Sequence, residues 1–96
     1  MPHWRVFLEG RNFWLRVDGQ TQRLGFYTTR FVEAVDEEAA ELAAVKLVRE
    51  DPKLGEALNE RSDPPMIHVE EITRVAMPDP EYPNAGYAFY PEESDA

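Results

Sequence analysis

The side chains best suited to metal chemistry are few and scattered along this chain. The two histidines, His3 and His68, lie far apart in the sequence, and there is no cysteine. His68 begins the string His-Val-Glu found in zinc deaminases, but their Pro-Cys-x-x-Cys partner cannot exist without cysteine. A zinc site would also need three or four ligands close together. We therefore predict that His68 is a surface residue of a strand and that the chain holds no metal.

Acidic residues occur in pairs with helical spacing. Glu37 and Glu41 are four positions apart, so they share one face of a helix, and Glu38 lies on the same side. Such pairs can bind metal or divide acid and base roles. Here they occupy the first turn and polar side of an amphipathic segment, which is typical of a solvated face.

Other catalytic patterns are missing from the sequence. No glycine-rich phosphate loop occurs, and no Gly-x-Ser-x-Gly string occurs. The serines, Ser62 and Ser94, both lie in polar breaks between elements. We predict that the protein is not an enzyme, and we assign it no catalytic residue, no cofactor-binding residue and no cofactor.

A third group combines arginines with aromatic rings. Its members point the same way if two strands pair through a turn at Gly10, and they are Arg5, Phe7, Trp14 and Arg16. This face could be no more than the amphipathic outer side of a sheet, or it could bind a protein or stack nucleic-acid bases. The net charge of −9 repels phosphate backbones, so no nucleic-acid partner is expected.

Further apolar side chains lie where a simple core does not need them. Leu42 and Val45 fall on the polar side of the predicted helix. Near the C-terminus an aromatic segment contains Tyr87, Phe89 and Tyr90, and it is too apolar to be a free tail. We expect that segment to dock or to add an edge strand, in its own chain or in a neighbour. With the arginine face, these residues form the candidate interaction face and suggest a homodimer.

Alternating side chains predict the strands that must position these residues. Period-two alternation is the signal of a half-buried strand, and Asp18-Gly19 is a strong hairpin dipeptide. The resulting antiparallel meander has three strands, at residues 4–9, 13–18 and 23–35, with a turn at Gly10-Arg11-Asn12.

One main helix follows the meander. Asp36 is a suitable N-cap for a helix that ends at Glu50. Its predicted core stripe consists of small and apolar residues, namely Ala40, Ala43, Ala44 and Leu47. A short second helix can begin at Asp51-Pro52.

A last strand is expected at residues 66–75, where a bulge near Glu70-Glu71 explains a slip in the alternation. The fold class is thus α+β: an antiparallel meander of four or five strands packed on one main helix, in the order β-β-β-α-(short α)-β-(β). In element order alone, and through the junction string Ala34 to Ala40, it resembles small antitoxin domains of the HicB type. We transfer no residue roles from that resemblance.

Length and composition limit the remaining choices. The 96 residues make one domain, at 1–91, and the acidic residues 92–96 are expected to be disordered. No apolar run approaches the roughly 20 residues of a membrane span, and absent cysteines fit a cytoplasmic location. We expect a small interaction or accessory module that acts by contact with a protein partner or with itself. The alternative is a small-ligand-binding domain with its site between the sheet and the C-terminal aromatic segment.

Overall fold

A long antiparallel hairpin, β1 (His3–Val17) and β2 (Gln20–Glu33), forms the centre of the fold. The computed structural model describes residues 2–51, 58–59, 62–76 and 86–92. Helix α1 (Glu37–Arg49) follows the hairpin, and β3 (Met66–Val75) and β4 (Ala88–Pro91) complete the described elements. All four strands belong to one antiparallel sheet in the order β3-β1-β2-β4.

The α+β class and the antiparallel sheet are confirmed, but the predicted element order is wrong. The order is β-β-α-β-β, because the predicted first two strands are one continuous strand, β1. The predicted turn at Gly10-Arg11-Asn12 is a bulge, at which the β1–β2 register shifts between Gly10 and Phe13. Asn12 takes a left-handed conformation with φ of 60°, which asparagine tolerates better than most residues.

Two other local predictions are confirmed. Asp18 and Gly19, with φ of 50° and 81°, form the two-residue loop between β1 and β2. The register of β3 against β1 shifts between Phe7 and Leu8, which leaves Glu70 as the bulge residue. The predicted short helix from Pro52, the proline-rich segment at 77–85 and residues 93–96 lie outside the described residues.

Helix α1 begins where the sequence indicates. The Asp36 carboxylate accepts a hydrogen bond from the Ala39 amide at 2.8 Å and thereby satisfies one of the free amides of the first turn. Ala40, Ala44 and Val48 are fully buried on the helix side that meets the sheet. The small alanine side chains allow the helix backbone to approach the strands closely.

The predicted helix stripe needs two corrections. Leu47, assigned to the stripe, is exposed, and Val48 takes its place because it lies eight residues after Ala40 on the same helix face. Val45, assigned to the polar side, is partly buried against the core, whereas Leu42 is exposed as predicted. The buried side of the helix is therefore rotated toward Val48 relative to the side that the sequence pattern predicted.

The core lies between α1 and one face of the sheet, which we call the inner face. The strand residues on this face alternate with those that point away, and Val6, Leu8 and Phe26 have no exposed surface. An α-helix of 13 residues is about 20 Å long, whereas the longest dimension of the molecule is 43 Å. Helix α1 therefore covers only part of the inner face.

Candidate functional site

The opposite side of the sheet, which we call the outer face, carries the arginines and rings singled out above. Within the described residues, no helix packs on it. Strand register assigns to it the side chains of His3, Arg5, Phe7, Glu9, Arg11, Trp14, Arg16, Thr21, Arg23, Tyr27, Thr29, Phe31, Glu33, Met66, His68, Glu71, Thr73, Val75, Ala88 and Tyr90. The predicted common face of Arg5, Phe7, Trp14 and Arg16 is present, although a bulge and not a turn brings these residues into phase.

Three aromatic rings form a line across the outer face. The Phe7 and Tyr27 rings stack with centroids 5.6 Å apart and planes within 2° of parallel. The Tyr27 and Tyr90 ring centroids are 5.5 Å apart. Diagonal cross-strand pairs of this kind stabilise neighbouring strands. Because the rings come from β1, β2 and β4, the line connects three strands.

A nearly buried carboxylate lies beside this line of rings. Glu9 is 7% exposed, and its Oε2 accepts a hydrogen bond of 2.6 Å from the Tyr90 hydroxyl. The Arg11 Nε lies 3.4 Å from Glu9 Oε1. The Tyr90 hydroxyl, followed by Tyr27 and Arg11, lowers the pKa of Glu9, although burial acts in the opposite direction. Burial and then the Glu9 carboxylate raise the pKa of Tyr90 to about 12.

The pKa shifts of Glu9 and Tyr90 indicate what these two side chains can do chemically. At neutral pH, Glu9 is ionised and Tyr90 keeps its proton. A general base is most effective when its pKa lies near the working pH and when it can reach a substrate proton. The pKa of Glu9 moves away from that range, and its oxygens are already engaged by Tyr90 and Arg11. Glu9, Tyr90 and Arg11 therefore hold β1 and β4 together, and we call this group the Glu9 clamp.

A second clamp connects the β1 bulge to the end of β4. Glu92 Oε2 accepts a 2.7 Å hydrogen bond from the Asn12 amide and lies 3.3 Å from Arg23 Nε. The Glu92 amide in turn donates to the Arg23 carbonyl at 3.0 Å. Glu92, which we assigned to the start of a disordered tail, thus makes defined contacts.

The aromatic segment docks as an edge strand of its own chain. Strand β4 pairs antiparallel with β2, from Leu24 opposite Pro91 to Tyr27 opposite Ala88. Alternation divides its rings between the two faces of the sheet: Tyr90 lies on the outer face, whereas Tyr87 and Phe89 contact Phe26 on the inner face. Leu42, 67% exposed, lies on the solvent side of α1. The predicted interaction face is therefore distributed over three surfaces.

A buried polar cluster on the inner face was not predicted. Arg30, 2% exposed, lies 3.3 Å from Asp51 Oδ2 and 4.9 Å from the centre of the Tyr87 ring. The Tyr87 hydroxyl donates to Asp51 Oδ2 at 2.6 Å, and burial and then this bond raise the pKa of Tyr87 to about 12. Its signal in the sequence was a charged residue at an inward position of β2, between Thr28 and Val32.

The predicted histidines and helix carboxylates do not converge. His3 Nε2 lies 3.5 Å from Glu33 at one end of the hairpin, whereas His68 stands opposite Glu9. Glu37 and Glu41 are exposed on α1. Among the described residues, no group of three histidine or acidic side chains is placed to hold a metal ion. None of the described helices is long and apolar enough to cross a membrane.

Two depressions could admit a ligand or a partner side chain. The larger, of about 450 Å³, lies at the hairpin end of the sheet beside β4. The described residues that line it are Leu15, Arg16, Val17, Gln22, Leu24, Phe89, Tyr90 and Pro91. The smaller, of about 270 Å³, lies on the outer face among Arg5, Phe7, Thr29 and Glu71.

Comparison with known proteins adds no relative from which a role could be transferred. The chain matches no protein-family model, no curated protein and no solved structure.

Proposed function

We propose that the protein is a small, non-enzymatic interaction module that binds a protein partner through the outer face of its sheet. One observation carries the proposal: the outer face displays arginines and aromatic rings, and no described helix packs on it, whereas the inner face is packed on α1. Aromatic residues and arginine are enriched at protein interfaces, and they supply most residues that dominate binding energy.

The contacts among side chains of this face support the proposal. The line of rings and the Glu9 clamp fix side chains from three strands before any partner arrives. Binding normally costs free energy for ordering side chains and loops at the interface. A preorganised sheet face avoids part of that cost.

The smaller depression gives the face a place for an anchor side chain. Arg5, Phe7, Thr29 and Glu71 line it, and the charged groups of Arg5 and Glu71 are 3.8 Å apart and exposed. An exposed ion pair of this kind contributes at most about 1 kcal/mol to stability, so a partner can displace it at little cost. An apolar or aromatic side chain with a polar tip fits this site best.

Capture by the tagged chain, compared among variants, tests the proposal. Phe7→Ser and Arg16→Glu alter the outer face, and Leu42→Ser alters an equally accessible site on α1. We expect a partner that is retained by the wild type and by Leu42→Ser, and lost with either outer-face variant, while melting temperatures show that all variants are folded. Capture that ignores Phe7 and Arg16 but depends on Leu42 would contradict the proposal.

The larger depression supports a second candidate function, the binding of a small apolar ligand. Its volume of about 450 Å³ is within the range of ligand pockets, and residues of β1, β2 and the aromatic strand β4 line it. Phe89, 47% exposed, and Val17 offer apolar contacts, and Gln22 offers a polar one.

A metabolite library screened by melting temperature tests this candidate. A compound that stabilises the wild type and Phe7→Ser, but not a Val17→Trp variant that fills the depression, would support ligand binding. Equal stabilisation of the Val17→Trp variant would place the compound elsewhere.

A further inference from the structure

We infer that the partner of the outer face is a second copy of this chain, packed sheet against sheet around a two-fold axis that crosses the strands. The inference rests on the proposed function and specifies its partner. Its basis is the charge pattern and the size of the face.

The outer face is nearly neutral in an acidic protein. Among the described residues it carries four arginines and, with the bulge residue Glu70 and the clamp residue Glu92, five glutamates, whereas the whole chain carries −9. Two copies of an acidic protein repel one another through most of their surfaces. Two copies are repelled least when they approach through this face, because like charges that meet across an interface disfavour association.

Charge is also distributed unevenly along the face. Among the described strand and clamp residues, the half nearest the hairpin loop has three arginines (11, 16 and 23) against Glu9 and Glu92. The opposite half has Arg5 against Glu33, Glu70 and Glu71. A two-fold axis that crosses the strands places the positive half of each copy on the negative half of its partner. A face with this polarity is complementary to itself, as an isologous contact requires.

Arg16 is the most available charge for such a contact. It is exposed, and no ion pair joins it to another described residue, unlike Arg5, Arg11 and Arg23. Glu33, at the far end of the hairpin, is also exposed, and its described partner is His3. The two residues are too far apart to interact within one chain, since β1 and β2 place them at opposite ends of the sheet.

The area of the face suits a dimer. Each strand residue occupies about 16 Å² of a sheet in projection. The strands of 15, 14, 10 and 4 residues therefore offer a flat area of about 700 Å². A standard interface buries about 800 Å² of accessible surface per partner, and side chains make the accessible area larger than the projection. The product would be a two-sheet sandwich with one α1 on each outer side.

Sedimentation of the full chain at about 10 to about 200 micromolar and low salt, a range suited to micromolar affinity, tests the inference. We expect a dimer whose dissociation constant rises about tenfold or more in Arg16→Glu, because this change removes the positive charge that meets the partner's acidic half. Arg49→Glu makes the same change of net charge on exposed α1 and should have a much smaller effect. Adding Glu33→Arg to Arg16→Glu should restore part of the affinity.

Three results would overturn the inference: a monomeric wild type over this range, equal effects of Arg16→Glu and Arg49→Glu, or no recovery on adding Glu33→Arg. A monomeric wild type that still loses a captured protein when Phe7 is changed would reject the second copy and leave the proposed function intact.

Discussion

At two glycines in the strands, an aromatic ring occupies the space that a side chain would otherwise fill. A Cβ at Gly10 would overlap the ring of Phe26, and a Cβ at Gly25 would overlap the ring of Tyr90. The two rings differ in their freedom to shift. Phe26 is fully buried and closely packed, whereas Tyr90 lies near the surface on an edge strand. Identical substitutions should therefore have unequal effects.

We expect Gly10→Ala to lower the free energy of unfolding by about 3 kcal/mol, the upper part of the range for overpacking. Gly25→Ala should cost less, because Tyr90 can swing away at the loss of its bond to Glu9. Urea unfolding of both variants measures the difference. A larger loss for Gly25→Ala would show that Tyr90 is held more firmly than its position suggests.

Asp51 neutralises the buried guanidinium of Arg30. Removing one partner of a buried ion pair typically costs about 3–5 kcal/mol, because it leaves an uncompensated charge. We expect Asp51→Ala to show a loss of this size, and Glu50→Ala, at an exposed neighbouring position, to show almost none. Similar melting temperatures for the two variants would mean that water or another group compensates Arg30.

The tyrosine pKa values predict how stability depends on pH. The pKa values of Tyr87 and Tyr90 rise from 10.0 to about 12 on folding, so the folded state keeps both phenolic protons longer than the unfolded chain. Their stabilisation is complete below pH 10 and is lost as the pH rises to about 12. Glu9 acts at the other end: its lowered pKa stabilises the fold above pH 4.5, and this contribution disappears as the pH falls.

Unfolding free energies measured from neutral to alkaline pH test this account. We expect the alkaline decline to be shallower in Tyr90→Phe, which has no phenolic proton at that position. The variant should also lose about 1.5 kcal/mol at neutral pH, typical for a hydrogen bond to a charged group. Parallel alkaline declines in the wild type and Tyr90→Phe would contradict the assigned pKa of Tyr90.

At the scale of elements, contacts that depend on local chemistry were predictable. Asp18-Gly19 specifies a hairpin because both residues tolerate positive φ, and Asp36 specifies a helix start because its carboxylate caps the first turn. The bulge at Glu70 followed from a break in alternation that no regular strand can accommodate.

Features that depend on distant partners were not predictable. Gly10 and Asn12 suit a turn as well as a bulge, and the choice depends on Phe26, Gly25 and the Glu92 clamp, all remote in sequence. Alternation nevertheless predicted which β1 side chains lie on the outer face. The bulge adds one residue to β1, so the side chains before and after it point to the same faces as they would across the predicted turn. The buried pair of Arg30 and Asp51 likewise required knowing where the end of α1 meets β2.

The orientation of α1 is testable by a pair of glutamate substitutions. Ala44→Glu places a charge at a fully buried position against the sheet and should cost several kcal/mol, or prevent folding. Leu42→Glu makes the same substitution on the solvent side and should change stability by less than about 0.5 kcal/mol. Comparable thermal unfolding of the two proteins would require a rotated helix.

In the whole molecule, the two faces of the sheet differ in what packs on them. The inner face is packed on α1, whereas the outer face carries a line of rings, two clamps and a divided charge pattern. We infer that a second copy of the chain covers this surface in solution.

The two tryptophans allow that claim to be measured directly. Trp14 lies on the outer face, whereas the Trp4 indole donates to the Ala34 carbonyl at 3.0 Å and packs against the core. With Trp4→Phe, Trp14 becomes the only tryptophan, and Trp14→Phe isolates Trp4 as its control. The measurement is quenching by acrylamide as protein concentration rises. Trp14 should become progressively protected and its emission should shift to shorter wavelength, while Trp4 stays constant. Trp14 quenching that remains unchanged from low to high concentration would contradict the claim.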